Sequence, residues 1–168
     1  MRFLKSMSVL AAALLSMSLA ACEKNAPAAG FGLGAGGAGN FTPGSAQEFS
    51  GRIGDTVHFE TDSPELTPEG RSIVTAQAVW LRQYANYPIA IEGHADERGT
   101  REYNIALGAR RAETVKNFLI SQGIDPRRVR TVSFGKERPV AVCDNISCWS
   151  QNRRAVTVLN GGGAMASN

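Results

Sequence analysis

Charge of one sign, catalytic signatures and long apolar runs are all scarce in this chain. Eighteen basic residues are nearly balanced by 15 acidic ones, a formal net charge of +3. Arg2 and Lys5 sit in the first five positions, and without them the balance is about +1. No dense basic tract interleaves with aromatics, so the footprint of a nucleic-acid binder is missing. H-E-x-x-H, G-x-S-x-G and a Cys/His nucleophile pair are also missing, which argues against hydrolytic enzymes; no cofactor is expected. There are two histidines, His58 and His94, and three cysteines, Cys22, Cys143 and Cys148. The apolar run from Val9 to Leu19 is too short to span a bilayer.

What is present falls into four blocks. At 168 residues, one domain plus appendages is the expectation, and 43% apolar content suffices for one core. Residues 1–21 read as a secretory signal, with Arg2 and Lys5 ahead of the apolar run. It ends in Leu19-Ala20-Ala21-Cys22, which resembles a bacterial lipobox cleaved before Cys22. That resemblance implies acyl chains on Cys22, enough for stable anchoring in a membrane lipid layer. Glu23 follows, rather than the Asp that favours inner-membrane retention, so the outer membrane is the expected address, with the domain facing the periplasm. Residues 22–50 are Gly/Ala-rich and aperiodic, predicting a flexible tether with a typical reach of about 30 Å. Residues 51–160 carry the domain pattern, and 161–168 read as a disordered tail.

Within the domain, T-V-H-F-E alternates Val57 and Phe59 inward with His58 and Glu60 outward, predicting a strand. Thr67 and Pro68 form an N-cap and N1 pair. The helix they open carries Ile73, Ala76, Trp80 and Tyr84 on one face and runs until Pro88. Residues 88–92 predict a second strand. A charged loop from His94 to Thr100 feeds a second helix from about Glu102, with Tyr103 and Asn104 at its opening. Leu107, Gly108, Ala112, Val115, Phe118, Leu119 and Gln122 recur along it at helical spacing. Gly123 is a natural cap, residues 129–134 a third strand, residues 135–152 a loop and residues 155–159 the closing strand. Two strand–helix–strand units in succession predict an α/β sandwich, two main helices on a mixed β-sheet of about four strands.

One residue breaks the apolar rule. Arg111 lies four residues after Leu107 and four before Val115, inside the inward stripe, whereas Arg110 points elsewhere. A guanidinium there keeps its proton and calls for an anion. The nearest candidate is Asp96, in the loop before the helix. On spacing alone the two form either a ligand-binding pair or an internal salt bridge. His94, Asp96 and Glu97 also crowd this loop, but their spacing fits no metal or hydrolytic motif.

The stretch G-H-A-D-E-R-G-T-R-E-Y-N-I-A-L-G-A-R-R-A resembles the signature of OmpA-like peptidoglycan-binding domains. More narrowly it resembles their lipoprotein branch in the Tol–Pal system, over roughly residues 55–159. The resemblance implies that Asp96 and Arg111 grip meso-diaminopimelate of the peptidoglycan stem peptide. Asp96 would take its ammonium and Arg111 its carboxylate. It places Thr61 and Asp62 in the same pocket. Leu107 is expected as apolar wall, and Asn104 either orients the stem peptide or caps the loop. Arg98 and Arg101 sit at the rim, as cell-wall contacts or solvated charges. Of Arg153 and Arg154, one supports the pocket or both lie on the surface. Implied partners are TolB, with TolA a further candidate. The second reading makes the domain mainly a docking module for them, with the Asp96–Arg111 pair structural. Cys143 and Cys148, five apart, favour a local disulfide over free thiols or a metal site.

Overall fold

A computed structural model describes residues 41–160. The signal segment, the Cys22 lipidation site, residues 23–40 of the expected tether and the expected tail at 161–168 lie outside the described residues.

The domain starts earlier than expected. Residues 45–50, assigned above to the tether, are folded: Ser45 caps the short helix α1 (Ala46–Glu48), which runs into a π-helical turn at Phe49–Gly54. The Ser45 hydroxyl accepts from Glu48 N–H at 3.1 Å, and the Glu48 carboxylate accepts from Gly44 N–H at 2.8 Å. Ser45-x-x-Glu48 is thus a close variant of the capping box, a signal hidden by the glycine-rich surroundings. Phe49 packs its ring 5.0 Å from Trp80, and the Trp80 indole donates to Glu48 at 3.0 Å.

Strand β1 (Thr56–His58) buries Val57, and Phe59 follows it into the core. Helix α2 (Pro68–Gln83) opens on the Thr67 hydroxyl, which accepts from Gly70 N–H at 3.0 Å. It ends five residues short of Pro88, because Tyr84 leaves helical geometry at φ −114° and ψ 73°. Its buried centre is Val74, Gln77, Ala78 and Leu81, with Trp80 beside them. The expected stripe through Ile73, Ala76 and Tyr84 lies at the edge of that face, since polar Gln77 disguised the true axis.

Strand β2 (Ile89–His94) leads through the charged loop to helix α3 (Arg101–Ser121). A 3₁₀ turn at Pro126–Arg128 feeds strand β3 (Val129–Gly135). The expected loop at 135–152 contains a helix, α4 (Ile146–Asn152), before strand β4 (Arg154–Leu159). Seven residues are too few for a readable apolar period; Asn145 starts α4 by accepting from Ser147 N–H at 3.0 Å. A disulfide joins Cys143 to Cys148 across its first turn, with Cα atoms 5.6 Å apart.

The sheet order is β1-β4-β2-β3. β4 lies antiparallel between β1 and β2, while β2 and β3 pair in parallel through the α3 crossover. α3 approaches β2 very closely where Gly93 faces Gly108. A Cβ on Gly93 would fall 1.8 Å from the Gly108 carbonyl oxygen, so this crossing tolerates only glycine. That contact sets Arg111, one turn further on, against the end of β2.

Candidate functional site

The loop after β2 is built by backbone geometry before any side chain acts. Ala95 N–H donates to Gly135 O at 2.8 Å, and Lys136 Nζ holds the carbonyls of Glu97 and Gly99 at 3.1 and 2.8 Å. Gly99 turns the chain at φ +84°, and the Thr100 hydroxyl accepts from Tyr103 N–H at 3.2 Å. α3 therefore begins at Arg101. Tyr103 and Asn104 do not open it, and both their N–H groups are taken, the latter by Thr100 O at 3.1 Å. They leave no anion site of the kind expected at that end.

A cleft of about 270 Å³ opens between this loop, the first turns of α3 and the loop after β1. Thr61, Asp62, Asp96, Asn104 and Leu107 line it, five of the six residues expected to bind ligand. Arg98, Gly99 and Tyr103 complete the wall. Asp62 has left-handed backbone at φ +57°, which aspartate tolerates in turns, and its carboxylate accepts from the Tyr103 hydroxyl. Asn104 caps the loop, its side-chain amide donating to Arg98 O at 2.7 Å.

Asp96 is only 7% exposed. Burial pushes its carboxyl pKa up, but hydrogen bonds from the Arg98 side chain and backbone outweigh this and hold it below its ordinary value. Arg98 donates Nε to Oδ1 at 3.1 Å and Nη2 to Oδ2 at 2.7 Å, and its backbone N–H donates to Oδ1 at 3.2 Å. Arg153 adds Nη1 to Oδ2 at 3.4 Å, and its Nε holds Phe59 O at 3.0 Å. Arg153 and Arg154 are both buried, so the surface alternative for them is wrong.

The expected Asp96–Arg111 pair does not form. Arg111 is 0% exposed and is not part of the cleft wall. Its Nε donates to Ser63 O at 3.0 Å, Nη1 to His94 O at 2.8 Å and Nη2 to Glu60 O at 3.1 Å, with the Phe59 ring 5.2 Å away. Three carbonyl dipoles thus solvate the charge that was expected to demand an anion. Burial pulls the Arg111 pKa down to about 10, while the charge of Asp96 acts from a distance in the opposite sense. The guanidinium remains charged at neutral pH. It ties the loop after β1 to the end of β2 and so shapes the cleft from behind.

His94 turns inward, stacked on Phe134 at 5.5 Å and 2% exposed, with neither ring nitrogen hydrogen-bonded. It therefore belongs to the fold interior rather than to the charged loop. Trp149 of α4 was not anticipated at the site. Its ring lies 4.3 Å from the Arg98 guanidinium, and its indole N–H donates to Glu97. No local pattern links residues 52 apart, so only the fold could reveal this contact.

A sequence model of the OmpA family matches residues 58–153. A peptidoglycan-associated lipoprotein of Agrobacterium fabrum is 57% identical over 151 residues, covering 89% of this chain and 85% of that protein. The crystal structure of the peptidoglycan-associated lipoprotein from Burkholderia pseudomallei superimposes with a TM-score of 0.64 at 36% identity, over 67% of this chain and 98% of that one. The C-terminal domain of Helicobacter pylori MotB shares the fold at a TM-score of 0.61 and 22% identity, over 65% and 86% of the two chains. Among the described residues, no helix is long and apolar enough to cross a membrane.

Proposed function

Since the chain belongs to the OmpA family, within its peptidoglycan-associated lipoproteins, we propose that the cleft at Asp96 binds peptidoglycan non-covalently through the diaminopimelate of the stem peptide. The observation that carries this reading is a nearly buried, ionised carboxylate at the floor of an open cleft. An ammonium is the natural guest for such a group. Tyr103 and Asp62 close one side, Leu107 supplies apolar wall, and Thr61 offers a hydroxyl for the peptide backbone. Asn104 positions the loop that presents Asp96. Arg111 acts as the buried frame rather than as the carboxylate's direct partner.

In this reading the domain is held to the outer membrane by acyl chains on Cys22. The Gly/Ala-rich segment spans to the cell wall in the periplasm, and the protein works with TolB and TolA in envelope integrity and constriction at division. No catalytic turnover is involved. A docking role towards TolB has its own support: Val140, Val142 and Ile146 stand exposed beside the disulfide, Val142 at 88%. That patch lies in a different stretch of chain from the cleft residues.

Asp96→Asn keeps the shape of the side chain and removes its charge. It should fold normally and lose about 2–5 kcal/mol of affinity for a diaminopimelate muropeptide in calorimetric titration. Cell-wall co-sedimentation should fail in parallel, while TolB capture persists. Wild-type affinity in this variant would remove Asp96 from the site.

A further inference from the structure

A carboxylate offers about four lone-pair sites, and all four on Asp96 are filled. Arg98 supplies three donors, from its backbone N–H, Nε and Nη2, and Arg153 supplies the fourth. An incoming ammonium finds no vacant acceptor, so it enters only by displacing a guanidinium. Arg153 is buried and fastened to Phe59 O, and cannot yield without opening the strand end. The Arg98 side chain is 41% exposed and lines the cleft itself.

Arg98 is also the only cationic side chain among the residues lining that cleft. Arg111 lies behind the wall, with three of its donors on carbonyls. A ligand end that carries a carboxylate beside its ammonium therefore meets Arg98 and no other cation. Trp149 steadies Arg98 from outside, because its ring faces the guanidinium and its indole N–H is fixed on Glu97. The disulfide closes α4 at Cys148, the residue before Trp149.

We propose that Arg98 makes the cleft selective for a zwitterionic end by exchanging partners. In the free protein it closes on Asp96. On binding it cedes Asp96 to the ligand's ammonium and takes the ligand's carboxylate in the same bidentate geometry. A simple ammonium, such as a lysine side chain, displaces the guanidinium and returns no acceptor to it. A diaminopimelate end returns one. This inference rests on the reading of Asp96 as the ammonium site.

The test is calorimetric titration of the full-length chain with two muropeptides that differ only in ending in diaminopimelate or lysine. Wild type should prefer the former by about tenfold or more, the worth of one charge-assisted bidentate contact. Arg98→Ala should bring the ratio to within about threefold. It should do so partly by binding the lysine form more tightly than wild type does. Arg98→Lys, which keeps the charge but not the fork, should fall between, and Trp149→Leu should shift the ratio the same way by less. An unchanged ratio in Arg98→Ala overturns the proposal, as does weaker binding of both ligands in proportion. Asp96→Asn separates the two failures. If it loses both ligands while Arg98→Ala keeps the wild-type ratio, the exchange is wrong and the site stands. If Asp96→Asn binds both as wild type does, the site itself is wrong and the exchange falls with it.

Discussion

Each of the two main helices carries one fully buried polar residue on its inward stripe, and the two serve opposite ends of the molecule. Gln77 on α2 donates to Gly54 O at 2.7 Å and accepts from the Thr157 hydroxyl at 2.9 Å. It thereby ties the π-helical turn to β4 beneath a closed apolar layer. Arg111 on α3 donates to three carbonyls drawn from the loop after β1 and the end of β2. A neutral amide completes its bonding locally and asks nothing more of its surroundings. A guanidinium gathers several segments and leaves a full charge behind the wall of a cleft. The first closes a core, and the second holds a site open.

The comparison predicts unequal costs of removal, with Arg111 much the greater. Arg111→Met keeps most of the stem volume but strands three buried carbonyls at once. Each unmet acceptor costs about 1–3 kcal/mol, and partial relaxation should leave a net loss of about 3–5 kcal/mol. Urea denaturation would measure this. Arg111→Lys keeps the charge without the planar fork and should recover less than half of it. A loss below about 1 kcal/mol for the methionine variant would mean that the loops hold themselves, contrary to the role given to Arg111.

Much of the fold could be read in advance because its signals are local. Val57 and Phe59 alternate with polar neighbours, Thr67-Pro68 marks a helix start, and the α3 stripe keeps its period through Arg111 itself. The site was legible only as far as side chains go. Thr61, Asp62, Asp96, Asn104 and Leu107 do meet at one cleft. The partners of Arg111 were not legible, because they are backbone carbonyls of Glu60, Ser63 and His94, and an acceptor that every residue carries leaves no mark in a sequence. Arg98 was the nearer partner for Asp96 all along, two residues away in a turn where an aspartate accepts from the backbone N–H at i+2. The apolar logic favoured Arg111 because it is buried, and burial proved to be the reason it is unavailable.

His94 sharpens the same contrast, since it adds a third buried polar group at the Arg111 end. Its carbonyl is used and its ring is not. Burial, with the charges of Arg154 and Arg138, pushes its pKa from 6.5 down to about 4, although the Glu92 carboxylate stands 3.8 Å away. The folded state thus refuses a proton that the unfolded chain accepts between those two values. Stability contributed by neutral His94 is complete above pH 6.5 and declines as pH falls towards about 4. The loss should be at most about 3 kcal/mol, reduced by whatever solvent screening reaches the ring. His94→Phe preserves the stack on Phe134 and cannot titrate. Denaturation midpoints for this variant should change less between pH 7 and pH 4 than those of wild type. Equal slopes for both proteins would assign the acid sensitivity to other groups.

The smallest effect belongs to the closed end, where a double substitution tests whether Gln77 is a local lock. Gln77→Leu alone leaves the Thr157 hydroxyl and Gly54 O without their partner, at a cost of about 1–3 kcal/mol. Adding Thr157→Val removes the stranded hydroxyl and replaces a polar pair with apolar groups of similar shape. The double variant should therefore regain a substantial part of the single loss, with only the Gly54 carbonyl still unmet. Thermal unfolding of the two single variants and the double variant forms a cycle that isolates the coupling. Strict additivity would mean that the amide and the hydroxyl do not depend on one another. Gln77 would then have to be understood, like Arg111, through the backbone it holds.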